Sequence, residues 1–222
     1  MKINILYEDN HLLVVEKPVN IPVQSDSSND GDLLSALKDY LKEKYNKPGN
    51  VYLGLVHRLD RPVGGIMVFA KTSKAASRLS EQIRTSQMEK QYLAVVTGVL
   101  DKPKGTLHDY LYKDTKTNTS CVVNKEHKDA REAILHYEVL ETKENLSLVR
   151  IQLVTGRSHQ IRVQFSHAGH PLWGDARYNP VALKGQQIAL FSDQLTLNHP
   201  TTKEKMTFKL DMPLRYPFSL FQ

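Results

Sequence analysis

The sequence has a single cysteine, Cys121, so it can form neither an internal disulfide nor a cysteine-rich zinc site. It also lacks any run approaching the ~18 apolar residues that a membrane-spanning helix needs. The N-terminal segment, MKINILYEDNHLLVVEKP, acquires acidic residues at once and has no small-residue cleavage site, unlike a secretory signal peptide. These absences predict a cytoplasmic protein that makes no contact with a membrane.

The composition is that of an ordinary globular protein. Of the 222 residues, 40% are apolar and 24% are charged, which is enough apolar sequence to form a buried core. We find no internal repeat and no low-complexity tract. A chain of this length predicts one domain, with two closely packed lobes as the alternative.

The charge is moderately basic, with a formal net value of +6. This value alone only weakly favours a polyanionic partner. Between positions 71 and 104 there are only three acidic residues, Glu81, Glu89 and Asp101, against the basic residues Lys71, Lys74, Arg78, Arg84, Lys90, Lys102 and Lys104. Interspersed basic side chains of this kind are what binding to a phosphate backbone requires.

One stretch, 51–70, combines two apolar runs with a polar turn. The apolar run 51–56 is followed by the cluster HRLDR at 57–61, then by a proline and two glycines, and then by a second apolar run at 66–70. This pattern predicts a strand, a short turn and a second strand. Reactive groups are often placed on a short loop between buried strands, because the scaffold fixes what the loop presents.

The carboxylate in this turn, Asp60, is flanked by Arg58 and Arg61. A free aspartate has a pKa near about 4, and neighbouring guanidinium groups favour its charged form, so Asp60 is a poor general acid at neutral pH. It is instead suited to act as a nucleophile or as an anchor for cations. The alternative is that Asp60 only pairs with one of the two arginines and pins the turn.

Helical spacing of apolar residues predicts one helix that begins after an N-cap at Asp32 and ends near Tyr45, a second at 73–87, and a third that opens at 155–157. The loop 24–31 is either a mobile lid or a linker. Lys17 is either a solvated lysine at the end of a strand or a functional residue. We predict strands at 4–7, 11–16, 51–56, 66–70, 90–99, 133–139, 146–154, 188–190, 194–198 and 206–210, with 107–123 pairing against 133–139.

Four blocks resemble, in the same order, the motifs of the RluA-type pseudouridine synthases. They are VEKP at 15–18, HRLD at 57–60 with MVFAK at 67–71, KQYLAVVTG at 90–98, and TGRSHQIR at 155–162, which continues into GHPLWGDARY at 169–178. HRLD alone would be a weak signal, but four ordered blocks over most of the chain are specific. One departure is that Val63-Gly64-Gly65 stands where family members often have Thr-Ser-Gly, which could alter the rigidity of the turn.

The resemblance implies an α+β fold, with a mixed, mostly antiparallel central sheet that crosses the molecule and helices that flank it. It implies a single catalytic domain over 1–222, without a separate N-terminal RNA-binding module. The implied reaction isomerises specific uridines of ribosomal or transfer RNA to pseudouridine. Because this reaction neither adds nor removes atoms, no cofactor and no metal are expected, and we expect a monomer.

The resemblance also implies roles for individual residues. Asp60 would be the nucleophile, and Arg162 would ion-pair with it, with Arg157 as the alternative partner. Tyr92 would stack on the uracil and assist proton removal, and Ile161 would pack on the other side.

Three further side chains are assigned to substrate binding by the same resemblance. Arg58 would enter the base stack and fill the space of the extruded nucleotide. His57 would either contact phosphate or support the turn. Lys90 is the third.

Two other functional classes are compatible with parts of the sequence. A domain of the same fold could bind or chaperone RNA without catalysis, although such a domain has no physical need to keep Asp60, Tyr92 and Arg162 together. A small-molecule hydrolase with an aspartate nucleophile would need a metal or phosphate-binding loop, and the sequence contains no recognisable one.

Overall fold

The computed structural model describes residues 3–26 and 30–222. These residues form eleven β-strands, three α-helices and a short 3-10 helix at Phe218–Phe221. The helices are α1 (Leu33–Lys44), α2 (Ser73–Arg84) and α3 (Gln160–His167). The strands are β1 (Asn4–Glu8), β2 (Leu12–Lys17), β3 (Gly54–Leu55), β4 (Gly64–Ala70), β5 (Glu89–Thr97), β6 (Lys104–Asp114), β7 (Thr119–Val123), β8 (Arg131–Lys143), β9 (Leu146–Leu153), β10 (Leu190–Asn198) and β11 (Lys205–Lys209).

The chain divides into two compact units. The first unit comprises Met1–Met88 and Ser192–Leu210, and the second unit comprises Glu89–Phe191 and Asp211–Gln222.

The first unit is built around β4, whose seven residues are all buried. Its strands follow the order β1-β2-β4-β10, with β11 beside β10 and β3 beside β4. β2 runs antiparallel to β4, so that Val15 lies opposite Met67. The core contains apolar side chains from the strands and from α2, namely Leu12, Val14, Ile66, Val68, Ala70, Ala75, Leu79, Met88, Leu195 and Leu197.

Both helices of the first unit begin at a side-chain cap. The Asp32 carboxylate accepts a hydrogen bond from the Ser35 backbone N–H at 2.9 Å, and the Thr72 hydroxyl accepts one from the Ala75 N–H at 3.1 Å. Each cap satisfies an N–H group that has no partner within its helix. The predicted N-cap at Asp32 and the predicted end of α1 near Tyr45 are confirmed.

The second unit is a sheet with the strand order β5-β9-β8-β6-β7. Ile151 in β9 lies opposite Tyr92 on one side and opposite Tyr137 on the other, so these three side chains share one face. α3 packs on this face, where the ring of Phe165 is 5.7 Å from that of Tyr137 in a T-shaped arrangement. This contact packs α3 against β8.

Several predicted boundaries are wrong. The strand predicted at 51–56 is limited to Gly54–Leu55, the second helix ends at Arg84 rather than at 87, and the third begins at Gln160 rather than at 155–157. Gly64 and Gly65 belong to β4 rather than to the preceding turn. A Cβ at Gly65 would lie only 2.3 Å from the Ser192 carbonyl oxygen, so the glycine permits a close backbone approach within the first unit. In place of the predicted strands 188–190 and 194–198 there is one strand, β10, which begins at Leu190 and continues through polar residues to Asn198.

A further wrong boundary lies in the stretch 107–123, which divides into β6 and β7 at a turn. The Asp114 carboxylate accepts hydrogen bonds at 2.8 Å from the Lys116 N–H and from the Thr117 hydroxyl. Such local bonds from an aspartate mimic a backbone turn and end the strand.

The predicted α+β class with a mostly antiparallel arrangement of strands is confirmed. Within 3–26 and 30–222, no helix is long and apolar enough to cross a membrane. The loop predicted at 24–31 includes residues 27–29, which lie outside the described residues, so its prediction as a lid or a linker remains open.

Candidate active site

Asp60 lies in a tight turn between β3 and β4 of the first unit. The Val63 N–H donates a hydrogen bond to the Asp60 carbonyl oxygen at 2.9 Å, which closes the turn. Leu59 and Val63 are buried, whereas Asp60 itself is partly exposed. The buried neighbours therefore anchor the turn in the core while the carboxylate keeps access to solvent.

Lys17, at the end of β2, is fully buried beneath this turn. Its ammonium group donates hydrogen bonds to the carbonyl oxygens of Pro18 at 2.9 Å, Arg61 at 3.0 Å and Val63 at 2.7 Å. Burial lowers the pKa of Lys17 to about 7, while the nearby Asp60 carboxylate opposes this shift and Arg61 adds to it. Lys17 thus ties the turn after Asp60 to the end of β2.

Of the two alternatives for Lys17, the solvated lysine is therefore wrong. Its three acceptors are backbone carbonyl groups, two of which lie 44 and 46 positions further along the chain. Composition and periodicity carry no signal for such bonds, because any residue type supplies the same carbonyl group. The only pointer in the sequence is the position of Lys17 in the VEKP block.

His57 and Arg58 line a shallow cavity of about 250 Å³, together with Gln24, Leu55 and Val56. The Nε2 atom of His57 accepts a hydrogen bond from the Val68 backbone N–H of β4 at 3.1 Å. This bond ties the residues before the turn to β4 and is consistent with a supporting role for His57. Contact of His57 with a phosphate stays a prediction. Arg58 is exposed at the surface of the first unit.

Arg61 makes contacts with the segment that precedes α1. Its guanidinium ion-pairs with Asp26 at 3.6 Å and with Asp30, and its Nε donates to the Asn20 carbonyl oxygen at 3.2 Å. Arg61 therefore has two acidic partners, Asp26 and Asp30.

Lys90 and Tyr92 lie on the same face of β5, since they are two residues apart in a strand. Tyr92 is buried, with 6% of its surface exposed. Burial lowers the pKa of Lys90. The Lys90 ammonium lies 3.6 Å from the point where a Cβ would stand on Gly156, so the loop before α3 borders this amine.

Arg162 in α3 forms a buried, two-pronged ion pair within the second unit. Its Nε and Nη2 donate to the Asp175 carboxylate oxygens at 2.8 and 2.7 Å, and both residues are almost fully buried. Paired hydrogen bonds of this kind fix the guanidinium in one plane and one orientation. Ile161, the residue before, is also buried.

The sequence predicts no functional role for Asp175. The residue stands in the block GHPLWGDARY, so a signal for it was present. The sequence does not reveal that Asp175 pairs with Arg162, because the residue types are the same whether an ion pair is exposed or buried.

Arg157, the alternative partner of Asp60 in our prediction, is exposed in the loop before α3. Its Nε donates to the Glu132 carbonyl oxygen of β8 at 2.8 Å, and its backbone N–H donates to Gln160 Oε1 at 2.9 Å. These bonds fix the loop against the second unit.

The predicted site residues thus form two groups. His57, Arg58 and Asp60 lie around one turn of the first unit, and the second unit carries Lys90, Tyr92, Arg157, Ile161 and Arg162. The pairing of Asp60 with an arginine of the second group stays a prediction. Across residues 3–26 and 30–222, no cluster of three or more histidine, cysteine or acidic side chains is placed to hold a metal ion.

Comparison with known proteins identifies a family. Residues 11–167 match the model of the RNA pseudouridylate synthases. An uncharacterized RNA pseudouridine synthase of Bacillus subtilis is 34% identical over 217 residues, which cover 96% of this chain and 70% of that protein. The ribosomal large subunit pseudouridine synthase D of Haemophilus influenzae is 32% identical over 229 residues, covering 95% of this chain and 68% of that protein.

A solved structure has a similar fold. The human RNA pseudouridylate synthase domain containing 4 superposes with a TM-score of 0.81 and 24% sequence identity, over 98% of this chain and 92% of the human one. At this identity the likeness concerns the fold.

Proposed function

This chain belongs to the RNA pseudouridine synthase family and is therefore an isomerase that modifies RNA; we propose that Asp60 is its nucleophile and that it acts on specific uridines of structured RNA. The observation that carries this proposal is the fixed turn around Asp60. Lys17 bonds two carbonyl groups of that turn from beneath, and its charge faces the carboxylate. A partly exposed carboxylate on so rigid a support is suited to attack a bound substrate.

The reaction moves one glycosidic bond. The bond between N1 of uracil and C1′ of ribose breaks, and a new bond forms between C5 and C1′. The C5 proton leaves and N1 gains a proton, so the overall composition is unchanged. Asp60 would attack C1′ or the uracil ring, or would promote elimination at the sugar, and these three routes remain open.

The second unit supplies the remaining proposed roles. Tyr92 stacks on the extruded uracil and assists removal of a proton from C5 or C2′, and Ile161 packs against the other side of the base. Arg162 pairs with Asp60 and holds it ionised. Its orientation by Asp175 supports this role, because a guanidinium fixed by two bonds retains further N–H donors for a second carboxylate.

Substrate binding requires that the target uridine leave its stack, which costs a few kcal/mol. Arg58 fills the vacated space, since a planar cation can stack between bases. Its exposure and the cavity beside it support this role. Lys90 contacts the RNA backbone, and His57 supports the turn or contacts a phosphate.

We propose ribosomal RNA as the substrate class, because the relative from Haemophilus influenzae is named as a ribosomal large subunit enzyme. Transfer RNA is the other class to test. Single uridines are chosen by the shape of the RNA and by flanking bases, which no motif of this chain encodes.

The competing function is an RNA-binding domain of the same fold without catalysis. The persistence of Asp60, Tyr92 and Arg162 in one chain favours the enzyme, since RNA binding alone does not need a carboxylate among its contacts.

Mapping of pseudouridine at single-nucleotide resolution in RNA of the host tests the proposal. The gene is deleted and then restored as wild type, as Asp60→Asn or as Asp101→Asn, the last being a matched control at an exposed aspartate. We expect one or a few sites to disappear and to return with wild type and Asp101→Asn only. An unchanged map, or full restoration by Asp60→Asn, would favour the RNA-binding domain.

A further inference from the structure

We propose that Tyr178 is a positioning residue, which fixes the tautomer and orientation of His159 and supports the guanidinium of Arg162 at the start of α3. The inference rests on the proposed function in one respect: it takes the start of α3 as part of the RNA-facing site. Its structural part concerns the second unit alone.

The Tyr178 hydroxyl joins two separate segments of the second unit. Its oxygen accepts a hydrogen bond from the Ser120 backbone N–H of β7 at 2.8 Å. The same oxygen lies 2.6 Å from Nδ1 of His159, the residue that precedes α3. A single hydroxyl therefore links the edge strand of the sheet to the beginning of the helix.

These contacts determine where the protons lie. A hydroxyl group has one proton to donate and two lone pairs to accept with. If Nδ1 of His159 carried a proton, the Tyr178 oxygen would accept two bonds and its own proton would have no acceptor among the described residues. If Nδ1 is unprotonated, Tyr178 donates to it and every group is satisfied. A half-buried donor without an acceptor is costly, so the second arrangement is favoured.

The favoured arrangement leaves Nδ1 of His159 unprotonated and places the ring proton on Nε2. In this form the ring donates through Nε2 in a direction that the contact with Tyr178 fixes. Burial raises the pKa of Tyr178, so its hydroxyl stays protonated and can serve as the donor at neutral pH.

The backbone of His159 explains why it needs an anchor. Its φ is +54°, in the left-handed region that residues with a Cβ seldom adopt. The side chain makes no capping bond to α3. The bond to Tyr178 and the T-shaped contact of the two rings, whose centroids are 5.6 Å apart, hold the side chain in place.

The ring of Tyr178 also lies against Arg162. The guanidinium carbon is 5.1 Å from the ring centroid, within the range of a cation–π contact. Asp175 holds the edge of the same guanidinium. The carbonyl oxygen of Tyr178 accepts a bond from the Ser166 hydroxyl one turn later in α3, at 2.7 Å. Tyr178 thus contacts α3 at two positions one turn apart, Arg162 and Ser166, in addition to the preceding residue, His159.

The first test measures the tautomer of His159 by two-bond 1H–15N correlation in the protein without RNA. We expect the proton on Nε2 in wild type and a mixture of tautomers in Tyr178→Phe, which keeps the ring and removes the hydroxyl. A proton on Nδ1 in the wild type would overturn the inference. Because no substrate is present, this result is independent of whether the proposed reaction occurs.

The second test is a double-mutant cycle on kcat/KM with a uridine-containing RNA substrate. Tyr178→Phe should lower kcat/KM by roughly threefold to tenfold, the range of a single hydrogen bond. The loss should shrink to nearly nothing when His159→Ala is already present, because the hydroxyl acts through that ring. An equal loss in both backgrounds would overturn the inference.

A control and a second variant complete the design. Tyr112 also packs beside a histidine, His127, with a distance of 4.7 Å between the ring centroids, so Tyr112→Phe is a matched substitution that should leave kcat/KM unchanged. Tyr178→Leu removes the ring as well and should lower kcat/KM beyond Tyr178→Phe, even in the His159→Ala background. If it does not, the support of Arg162 by the ring is contradicted.

Discussion

At the level of single residues, the candidate site is held by charged groups that are buried and fully bonded. Lys17 donates to three carbonyl oxygens beneath the Asp60 turn, and Asp175 binds two nitrogen atoms of Arg162. A buried charge of this kind costs free energy by itself and is stable only with its partners in place. Each group can therefore be tested by removing one partner.

Lys17 should make the stability of the protein depend on pH. Because folding lowers its pKa from 10.5 to about 7, the unfolded chain binds more protons than the folded one between these two values. The free energy of unfolding of the wild type should therefore rise with pH over this range, and the rise should be smaller in Lys17→Met. Urea denaturation at several pH values measures this.

Lys42→Met, at an exposed lysine of α1, is the matched control and should retain the wild-type slope. A wild-type slope in Lys17→Met as well would show that the pKa of Lys17 is not lowered in the folded protein.

Asp175→Asn should leave the Arg162 guanidinium without its buried counter-charge. We expect the free energy of unfolding to fall by about 3–5 kcal/mol, the usual cost of breaking a buried ion pair from one side. Replacing both partners, as Asp175→Leu with Arg162→Met, should cost less than the single change. Denaturant unfolding measures both effects, with Asp101→Asn as an exposed control. If Asp175→Asn lowered the free energy of unfolding by less than about 1 kcal/mol, as a surface substitution does, the buried ion pair would be contradicted.

Residue types were easier to predict from the sequence than residue environments. The sequence pointed to Asp60, Tyr92 and Arg162 through motifs, yet it left Lys17 open between a solvated and a functional residue and left Asp175 without a role. Both of these side chains owe their burial to partners distant in sequence, and no local pattern encodes such partners.

At the level of elements, helices were predicted better than strands. α1 begins at the predicted cap, Asp32, because capping is a local interaction between a side chain and the next turn. Strand ends depend on neighbours that local sequence does not specify. Gly64 and Gly65 looked like a turn, although close backbone packing in the first unit places them in β4.

Gly65→Ala should therefore be strongly destabilising. Gly65 has a φ of +122°, and an added Cβ would meet the Ser192 backbone at 2.3 Å. We expect a loss of roughly 2–6 kcal/mol, since backbone strain and overpacking each cost about 1–3 kcal/mol. Gly31→Ala, where nothing lies within 4 Å of the added Cβ, should change stability by less than about 0.5 kcal/mol. Similar thermal unfolding of the two variants would contradict this reading of β4.

At the level of the whole molecule, the family was accessible from sequence because its motifs are ordered along the chain and do not depend on local structure. The division into two compact units was offered only as an alternative to a single domain. The choice of RNA target is not encoded in any motif, because it depends on surface shape contributed by many residues.

The net charge of +6 predicts that RNA binding weakens as salt increases. If Lys90 contacts a phosphate, Lys90→Met should reduce the slope of log affinity against log salt concentration by about 1, the contribution of a single phosphate contact. Fluorescence anisotropy with labelled RNA measures the slope. Lys42→Met, at an exposed lysine of α1 outside the basic stretch 71–104, is the control. An unchanged slope in Lys90→Met would remove Lys90 from the RNA contacts.

The central claim is that Asp60 performs the chemistry. Release of tritium from C5 of uridine in 5-tritiated substrate RNA, in a single turnover with enzyme in excess, reports directly on formation of the new bond. We predict rapid release by wild type and Asp101→Asn, and release slower by about a thousandfold or more in Asp60→Asn, with RNA affinity retained. Release by Asp60→Asn within about tenfold of wild type would contradict the account.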